Sequence, residues 1–167
     1  KLETCVSLIA SASAAGHKIL LFSQFASMLE RIRERLLQEG ISSHLLVGAT
    51  PKEERSRMVQ AFASDEVPVF LISLKAGGTG LNLTAADIVI HYDPWWNPAV
   101  ELQAADRTHR IGQTRAVSSV KLVVKDSIEE KILELQERKR EIFDSVIDNP
   151  DAMGVNLSID ELKYLLD

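Results

Sequence analysis

The sequence predicts an α/β fold of three layers, with a mostly parallel central sheet and helices on both of its faces. Short apolar runs alternate along the chain with segments whose apolar residues recur at helical spacing. Several of the runs are almost entirely apolar, which is typical of strands that are buried on both faces of a parallel sheet. Polar or glycine-rich segments follow the runs, at the strand ends where such sheets bind ligands.

The first half of the chain alternates helix and strand in a regular order. An amphipathic helix is predicted over residues 2–14, and a second helix extends from about Phe25 to Gly40, a residue suited to closing a helix. A capping box with proline at the first helical position, Thr50-Pro51-Lys52-Glu53, predicts the start of a third helix. The predicted strands of this half are residues 18–22, 43–47 and 69–72.

The second half contains a glycine-rich loop over residues 74–83, two more strands and a long helix. We expect strands at 88–92 and 117–124, a helix from Asn97-Pro98 to about His109, and a long helix from about Ser127 to Ile147. These elements suggest a main domain over 1–125, a long helix over 126–148, and a linker with a short terminal helix over 149–167.

Composition restricts the class of protein. The 167 residues are 46% hydrophobic and 26% charged, as in an ordinary globular domain, and no run approaches the roughly 18 apolar residues of a membrane span. We therefore expect no membrane partner. Cys5 is the only cysteine, which excludes a disulfide framework and a cysteine-based metal site and favours a reducing, intracellular setting. The chain begins with lysine and shows no signal peptide, so we expect a fragment of a longer protein.

The charge is unevenly distributed. The formal net charge is −5, and residues 144–167 carry all of it, with six acidic residues and one lysine. Residues 1–141 are neutral overall, which is compatible with DNA binding because a binding face needs only a local basic patch. Charge alone leaves open a domain that avoids nucleic acid, and the acidic tail is expected mainly to interact with solvent.

The glycine-rich segment Lys75-Ala-Gly-Gly-Thr-Gly-Leu-Asn82 is a candidate phosphate-binding loop. Glycines let the backbone approach phosphates and direct its N–H groups toward them, while Lys75 adds a cation and Thr79 a hydroxyl. The segment has neither the P-loop spacing nor the dinucleotide-binding spacing. A tight turn that binds no ligand remains the alternative.

A second candidate segment extends from Gln103 to Gln113. Arg107 and Arg110 lie three residues apart and so share one helical face, where Asp106 or an anion would relieve their mutual repulsion. Guanidinium groups are suited to holding phosphate oxygens. The alternative is a solvated basic helix face.

Two smaller segments complete the set. Trp95 and Trp96 are adjacent in a loop at a strand end, where a tryptophan can contact a sugar or base; Trp95 is the one expected to fill the core instead. Ser23 and Gln24 precede a helix whose free N–H groups favour phosphate, and simple N-capping by Ser23 is the alternative.

Together, in this order, the four segments resemble the C-terminal RecA-like lobe of the Swi/Snf family of superfamily-2 ATPases. The most specific stretch is residues 72–114. Within it, the sequences DPWWNP and SLKAGG are similar to those of the family's prokaryotic branch. In this resemblance residues 18–25 look like motif IV of the family and residues 73–82 look like motif V. Residues 96–98 match its Trp-Asn-Pro element, and residues 103–113 match motif VI. The resemblance implies arginine fingers at Arg107 and Arg110. It implies nucleotide contacts at Gln103, Asp106, Gly78, Gly80 and Asn82. It implies DNA contacts at Ser23, Gln24, Lys75, Gly77, Thr79 and Trp96. Family members often carry arginine at the position of Lys75. The lysine keeps the positive charge but cannot make the bidentate phosphate contact of an arginine.

The function that this resemblance implies is that of the second motor lobe of an ATP-driven translocase on double-stranded DNA. ATP and Mg²⁺ would be bound mainly by an N-terminal RecA-like lobe of the same chain, because this sequence has no Walker A lysine or Walker B acids. The expected site of action is the cytoplasm or nucleoid of a prokaryote or the nucleus of a eukaryote, and a DNA-bound protein is a candidate target. Two alternatives are a non-catalytic module that binds a partner protein and a stand-alone nucleotide-dependent enzyme, although the latter lacks a cofactor fingerprint.

Overall fold

The computed structural model describes residues 1–77, 83–94 and 117–148, with side chains for all of these except Lys75, Gly77 and residues 139–148. The chain divides into two compact units, Lys1–Val124 and Lys125–Asp167. The first unit contains a five-stranded sheet in which every described strand pair is parallel, with helices between the strands. The predicted α/β fold class is therefore confirmed.

The elements of the first unit alternate as the sequence predicts. Its strands are β1 (Ile19–Ser23), β2 (Ser43–Leu46), β3 (Val69–Ser73), β4 (Ile88–His91) and β5 (Ser118–Lys121). Its described helices are α1 (Leu2–Ala14), α2 (Ala26–Gln38), α3 (Lys52–Ser64) and the single turn α4 (Leu74–Gly77). The predicted helix from Asn97 to about His109 lies outside the described residues.

The strand order β2-β3-β1-β4-β5 places β1 at the centre of the sheet. All five residues of β1 are buried. The register pairs Ser23 with Ser73 on one side and Phe22 with His91 on the other. The loops that follow β1, β3 and β4 therefore all begin at one edge of the sheet, its carboxyl edge.

Alternate side chains of β1 enter two separate hydrophobic cores, because successive residues of a strand point to opposite faces of a sheet. Ile19 and Leu21 belong to the core that contains residues of α1 and α2. Leu20 and Phe22 belong to the other core, which contains Phe62 of α3. Burial on both faces explains why β1 and β3 are apolar except for their last residue. The predicted helices on both faces are confirmed.

Two predicted boundaries are wrong for identifiable reasons. Pro51 is the N-cap residue of α3, with no side-chain capping bond, so Thr50 and Glu53 form no capping box. The Thr50 hydroxyl instead accepts the Val47 N–H at 3.1 Å and closes the turn after β2. Strand β5 is four residues long where eight were predicted; it is mostly exposed and pairs with β4, as a short edge strand does.

The amino edge of the sheet is fixed by polar contacts around Lys18. Its Nζ donates to the carbonyl oxygens of Phe62 and Asp65, near the end of α3, and lies 3.6 Å from Asp65 Oδ1. A cation at this position satisfies carbonyls that have no partner within the helix. His44 Nε2 lies 2.7 Å from Asp65 Oδ2. These contacts join the end of α3 to β1 and β2.

Cys5 allows a test of the packing between α1 and the sheet. The residue is fully buried, and burial raises the pKa of its thiol from 9.0 to about 12. Because the thiolate is the reactive form, we expect the native chain to resist alkylation at pH 8 and to react rapidly once unfolded. Folding favours the neutral thiol, so this contribution to stability is complete below pH 9 and is lost as the pH rises toward about 12.

Mass spectrometry after iodoacetamide treatment measures this reaction, with Cys5→Ala as the control that incorporates no label. Equal labelling rates for native and unfolded chain would show that Cys5 is not in a closed core.

The second unit contains the helix α5 (Ile128–Asp148), which was predicted from about Ser127 to Ile147. The Ser127 hydroxyl accepts the Glu129 N–H at 3.1 Å, which is the N-cap bond expected at such a start. Among the described residues, no helix has the length and apolar character needed to cross a membrane.

Candidate functional site

The carboxyl edge of the sheet contains a buried hydrogen-bonded cluster of Ser23, Gln24 and Asp93. Ser23 Oγ donates to Asp93 Oδ1 at 2.6 Å, and the Gln24 N–H donates to Asp93 Oδ2 at 2.8 Å. Ser23 is fully buried and Asp93 is 7% exposed. Both side-chain oxygens of Asp93 thus hold the end of β1 and the segment that leads into α2.

The cluster changes the interpretation of Ser23. The alternative that Ser23 caps α2 is wrong, because the N-cap residue is Phe25 and has no side-chain cap. Ser23 Oγ instead accepts the Phe25 N–H at 3.1 Å while it donates to Asp93. Its hydroxyl faces inward, whereas Gln24 is half-buried and Phe25 is 56% exposed. Of the Ser23-Gln24 pair predicted to lie near DNA, Gln24 has the more accessible side chain.

Asp93 is a site residue that sequence reasoning did not single out. It was grouped with the tryptophan segment that follows it. The sequence signal for Asp93 was an acidic residue two positions after β4, which is a neighbour of the central strand β1. An acid there is buried unless it turns outward, and a buried carboxylate needs donors. The serine and main-chain N–H after β1 were the nearest candidates.

The glycine-rich segment begins with a helical turn where a loop was predicted. Residues Leu74–Gly77 form α4 immediately after β3, and Ala76 is buried. Arg55 of α3 donates from Nη1 to the Ala76 carbonyl oxygen at 3.3 Å. The main chain of Lys75 and Gly77 therefore lies at the carboxyl edge of the sheet. Because Ser73 pairs with Ser23, it is next to the start of the loop that follows β1.

Arg55 also binds the loop that follows β2. Its Nε donates to the Thr50 carbonyl oxygen at 3.0 Å, and its Nη2 donates to that of Gly48 at 3.0 Å. One guanidinium therefore joins the loops that follow two neighbouring strands, β2 and β3. Sequence reasoning did not find this role, because Arg55 is one of several charged residues at the start of α3.

The remaining predicted site residues lie outside the described residues: Gly78, Thr79, Gly80, Asn82, Trp96, Gln103, Asp106, Arg107 and Arg110. Trp95 also lies outside them. The roles of all these residues stay predictions. The structure does place both chain segments from which they continue, α4 and Asp93-Pro94, after strands that flank β1.

Within residues 1–77, 83–94 and 117–138, no three histidine, cysteine or acidic side chains form a group that could hold a metal ion. The assignment of Mg²⁺ to another lobe therefore rests on the family resemblance alone.

Comparison with known proteins identifies the class. Residues 1–112 match the helicase conserved C-terminal domain family. The C-terminal part of the Fun30 ATPase domain has a similar structure, with a TM-score of 0.76 and 38% sequence identity over 80% of this chain and 43% of that one. The chain therefore belongs to the helicase conserved C-terminal domain family, and its fold is RecA-like.

The curated relatives show to which group of helicases the chain is similar. The ATP-dependent helicase rhp16 of Schizosaccharomyces pombe is 44% identical over 89% of this chain and 17% of its own length. The putative ATP-dependent helicase/translocase YwqA of Bacillus subtilis is 43% identical over 99% of this chain and 18% of its own length. The chromatin-remodeling ATPase INO80 of Candida albicans is 43% identical over 89% of this chain. These relatives are Swi/Snf-like ATP-dependent helicases, which confirms the resemblance.

The chain spans less than a fifth of the length of these curated relatives. They include bacterial and eukaryotic proteins, so the similarity to the prokaryotic branch stays a prediction.

Proposed function

We propose that this chain is the second motor lobe of an ATP-dependent translocase on double-stranded DNA. It supplies contacts to the DNA backbone and two arginine fingers, and it does not hydrolyse ATP without the first lobe. One observation carries the proposal: Gln24 after β1, the main chain of Lys75 after β3, and Asp93 after β4 all lie at the carboxyl edge of the sheet. Motif IV contains β1 and motif V begins at the last residue of β3. Asp93, which follows β4, accepts hydrogen bonds from Ser23 and Gln24 of motif IV.

The DNA-facing part of the proposal combines neutral donors with a cation. Gln24 presents a half-buried amide on a segment that Asp93 holds in place. Lys75 follows β3 and supplies a point charge for a phosphate. Gly77 and Thr79 supply N–H and hydroxyl donors, and Trp96 contacts the duplex beside them. Contacts of this kind fix position on the backbone without reading base sequence.

The nucleotide-facing part depends on the motif VI segment. Arg107 and Arg110 close on the γ-phosphate of ATP that the first lobe binds, and they neutralise charge that develops during transfer. Gln103, Asp106, Gly78, Gly80 and Asn82 line the nucleotide side of the cleft. Mg²⁺, when bound by the first lobe, would neutralise phosphate charge there. Closure shifts this lobe along the DNA, and hydrolysis releases it.

Relatives named as ATP-dependent helicases and a remodelling ATPase support the use of ATP and a paired first lobe in the full-length protein. We place that protein inside the cell, at the nucleoid of a prokaryote or in the nucleus of a eukaryote, where a DNA-bound protein is its target. A non-catalytic module that binds a partner protein is the second candidate. The retained motif V and motif VI sequences favour the motor.

The test is steady-state ATP hydrolysis by the full-length protein with and without duplex DNA. We expect turnover to rise with duplex DNA, and the isolated chain of 167 residues to show none. Turnover that is unaffected by duplex DNA, or ATP hydrolysis by the isolated chain, would contradict the proposal.

Trp96→Ala should uncouple movement from hydrolysis. Loss of the indole removes a contact with the duplex but leaves the arginine fingers, so translocation along DNA should fall more than DNA-stimulated ATP turnover. Triplex displacement and phosphate release, measured on the same preparation, give the two rates. If both rates fall in strict proportion, Trp96 has a packing role only.

A further inference from the structure

Arg55 occupies an unusual position for a charged residue near a helix start. Its three described hydrogen bonds go to main-chain carbonyl oxygens, those of Gly48, Thr50 and Ala76, at 3.0, 3.0 and 3.3 Å. It is half-buried, while its neighbours Glu54 and Ser56 are exposed. A cation whose donors are directed at carbonyl oxygens serves to hold the backbone in place, since carbonyls carry no net charge to neutralise.

The topology explains why one side chain reaches both loops. Helix α3 connects β2 to β3, and these strands are parallel neighbours in the sheet. Their following loops therefore lie side by side at the carboxyl edge. Arg55 is the fourth residue of α3, close to the loop from which the helix starts. The rigid fork of a guanidinium can bind carbonyls on both sides at once, which a lysine ammonium on a flexible stem does less well.

The Ala76 contact is the important one for the glycine-rich segment. A four-residue helix leaves its carbonyls without partners inside the helix. Arg55 supplies the missing donor at the third residue of α4, directly before the chain continues into residues 78–82. The position of α4, with which the glycine-rich segment begins, is thus tied to the loop after β2.

We propose that Arg55 is a positioning residue for motif V. By holding α4 against residues 48–50, it fixes the backbone of residues 74–77, with which motif V continues from β3. This inference rests on the proposed function for its consequence, although the positioning itself is a property of the fold. A misplacement of about 1 Å in a reacting arrangement can cost about 100-fold in rate, so a long-range effect on turnover is expected.

The experiment compares Arg55→Ala and Arg55→Lys with the control Arg57→Ala in the full-length protein. Arg57 is an exposed arginine on the same helix, two residues away and therefore on a different face. We expect both Arg55 variants to lower DNA-stimulated turnover by about 10- to 100-fold, with no rescue by lysine, and the control to match the wild type. Hydrogen exchange should accelerate in residues 74–77 and 48–50 of both variants, without DNA or ATP.

Each result decides the question. Rescue by lysine would mean that charge alone matters, and unchanged exchange in residues 74–77 would mean that Arg55 does not hold α4; either overturns the inference. Loss of protection across β1 and β3 as well would make Arg55 a general stability residue, which also overturns it. If the wild type shows no DNA stimulation, the proposed function fails, while the exchange measurement still tests the positioning.

Discussion

Replacing Arg107 or Arg110 with alanine in the full-length protein should lower DNA-stimulated ATP turnover by a factor of about 10³ or more, the range associated with arginine fingers. DNA affinity should be nearly unchanged. The physical reason is that a guanidinium at the γ-phosphate stabilises charge that is present mainly in the transition state, so its loss affects the rate and not the binding of DNA. Phosphate-release kinetics and duplex-binding titrations provide the two measurements.

Arg31→Ala is a suitable control, because Arg31 is an exposed arginine on α2. Its turnover should match that of the wild type. If either motif VI variant retains turnover within a few-fold of the wild type, that arginine is not a finger and belongs to a solvated basic face.

The second large effect is expected at Asp93, and it concerns stability. Asp93→Ala removes the acceptor of both the Ser23 hydroxyl and the Gln24 N–H, leaving a buried donor without its partner. Leaving a buried hydrogen-bonding group without its partner costs about 1–3 kcal/mol. Urea unfolding of the 167-residue chain measures the loss.

A conservative variant and a control variant accompany this measurement. Asp93→Asn keeps the volume and one acceptor oxygen, so it should lose less stability than Asp93→Ala. Glu66→Ala, at an exposed acid, should change the free energy of unfolding by no more than about 0.5 kcal/mol. A loss below about 1 kcal/mol for Asp93→Ala would show that the cluster does not fix the segment after β1.

The sheet could be predicted from sequence because its signal is local. Strands such as Ile19–Ser23 are buried on both faces, so the run from Ile19 to Phe22 is apolar and is visible without knowledge of neighbouring strands. The helices α1 and α2 follow from periodicity and from Gly40, whose φ of +74° is the left-handed conformation that ends a helix. The order of the strands depends on pairing between distant segments, which the sequence does not display.

The segments of the candidate site could be predicted from the sequence, but the hydrogen bonds that join them could not. Ser23 and Gln24 were recognised, but their partner Asp93 is 70 residues from Ser23 in the chain. Arg55 escaped notice because an arginine at the start of a helix is ordinarily exposed, and its role depends on the loops after two neighbouring strands. Thr50 was taken for a helix cap because a hydroxyl before proline fits that pattern, whereas it closes the preceding turn. Side chains that join separate loops leave no periodic signal.

The most direct test of the motor assignment is displacement of a third strand from a DNA triplex by the full-length protein. A motor that moves along the duplex displaces this strand only with hydrolysable ATP, and the motif VI variants should fail to do so. Displacement without ATP hydrolysis, or ATP turnover stimulated by duplex DNA with no displacement, would contradict translocation by a pair of lobes of which this chain is the second.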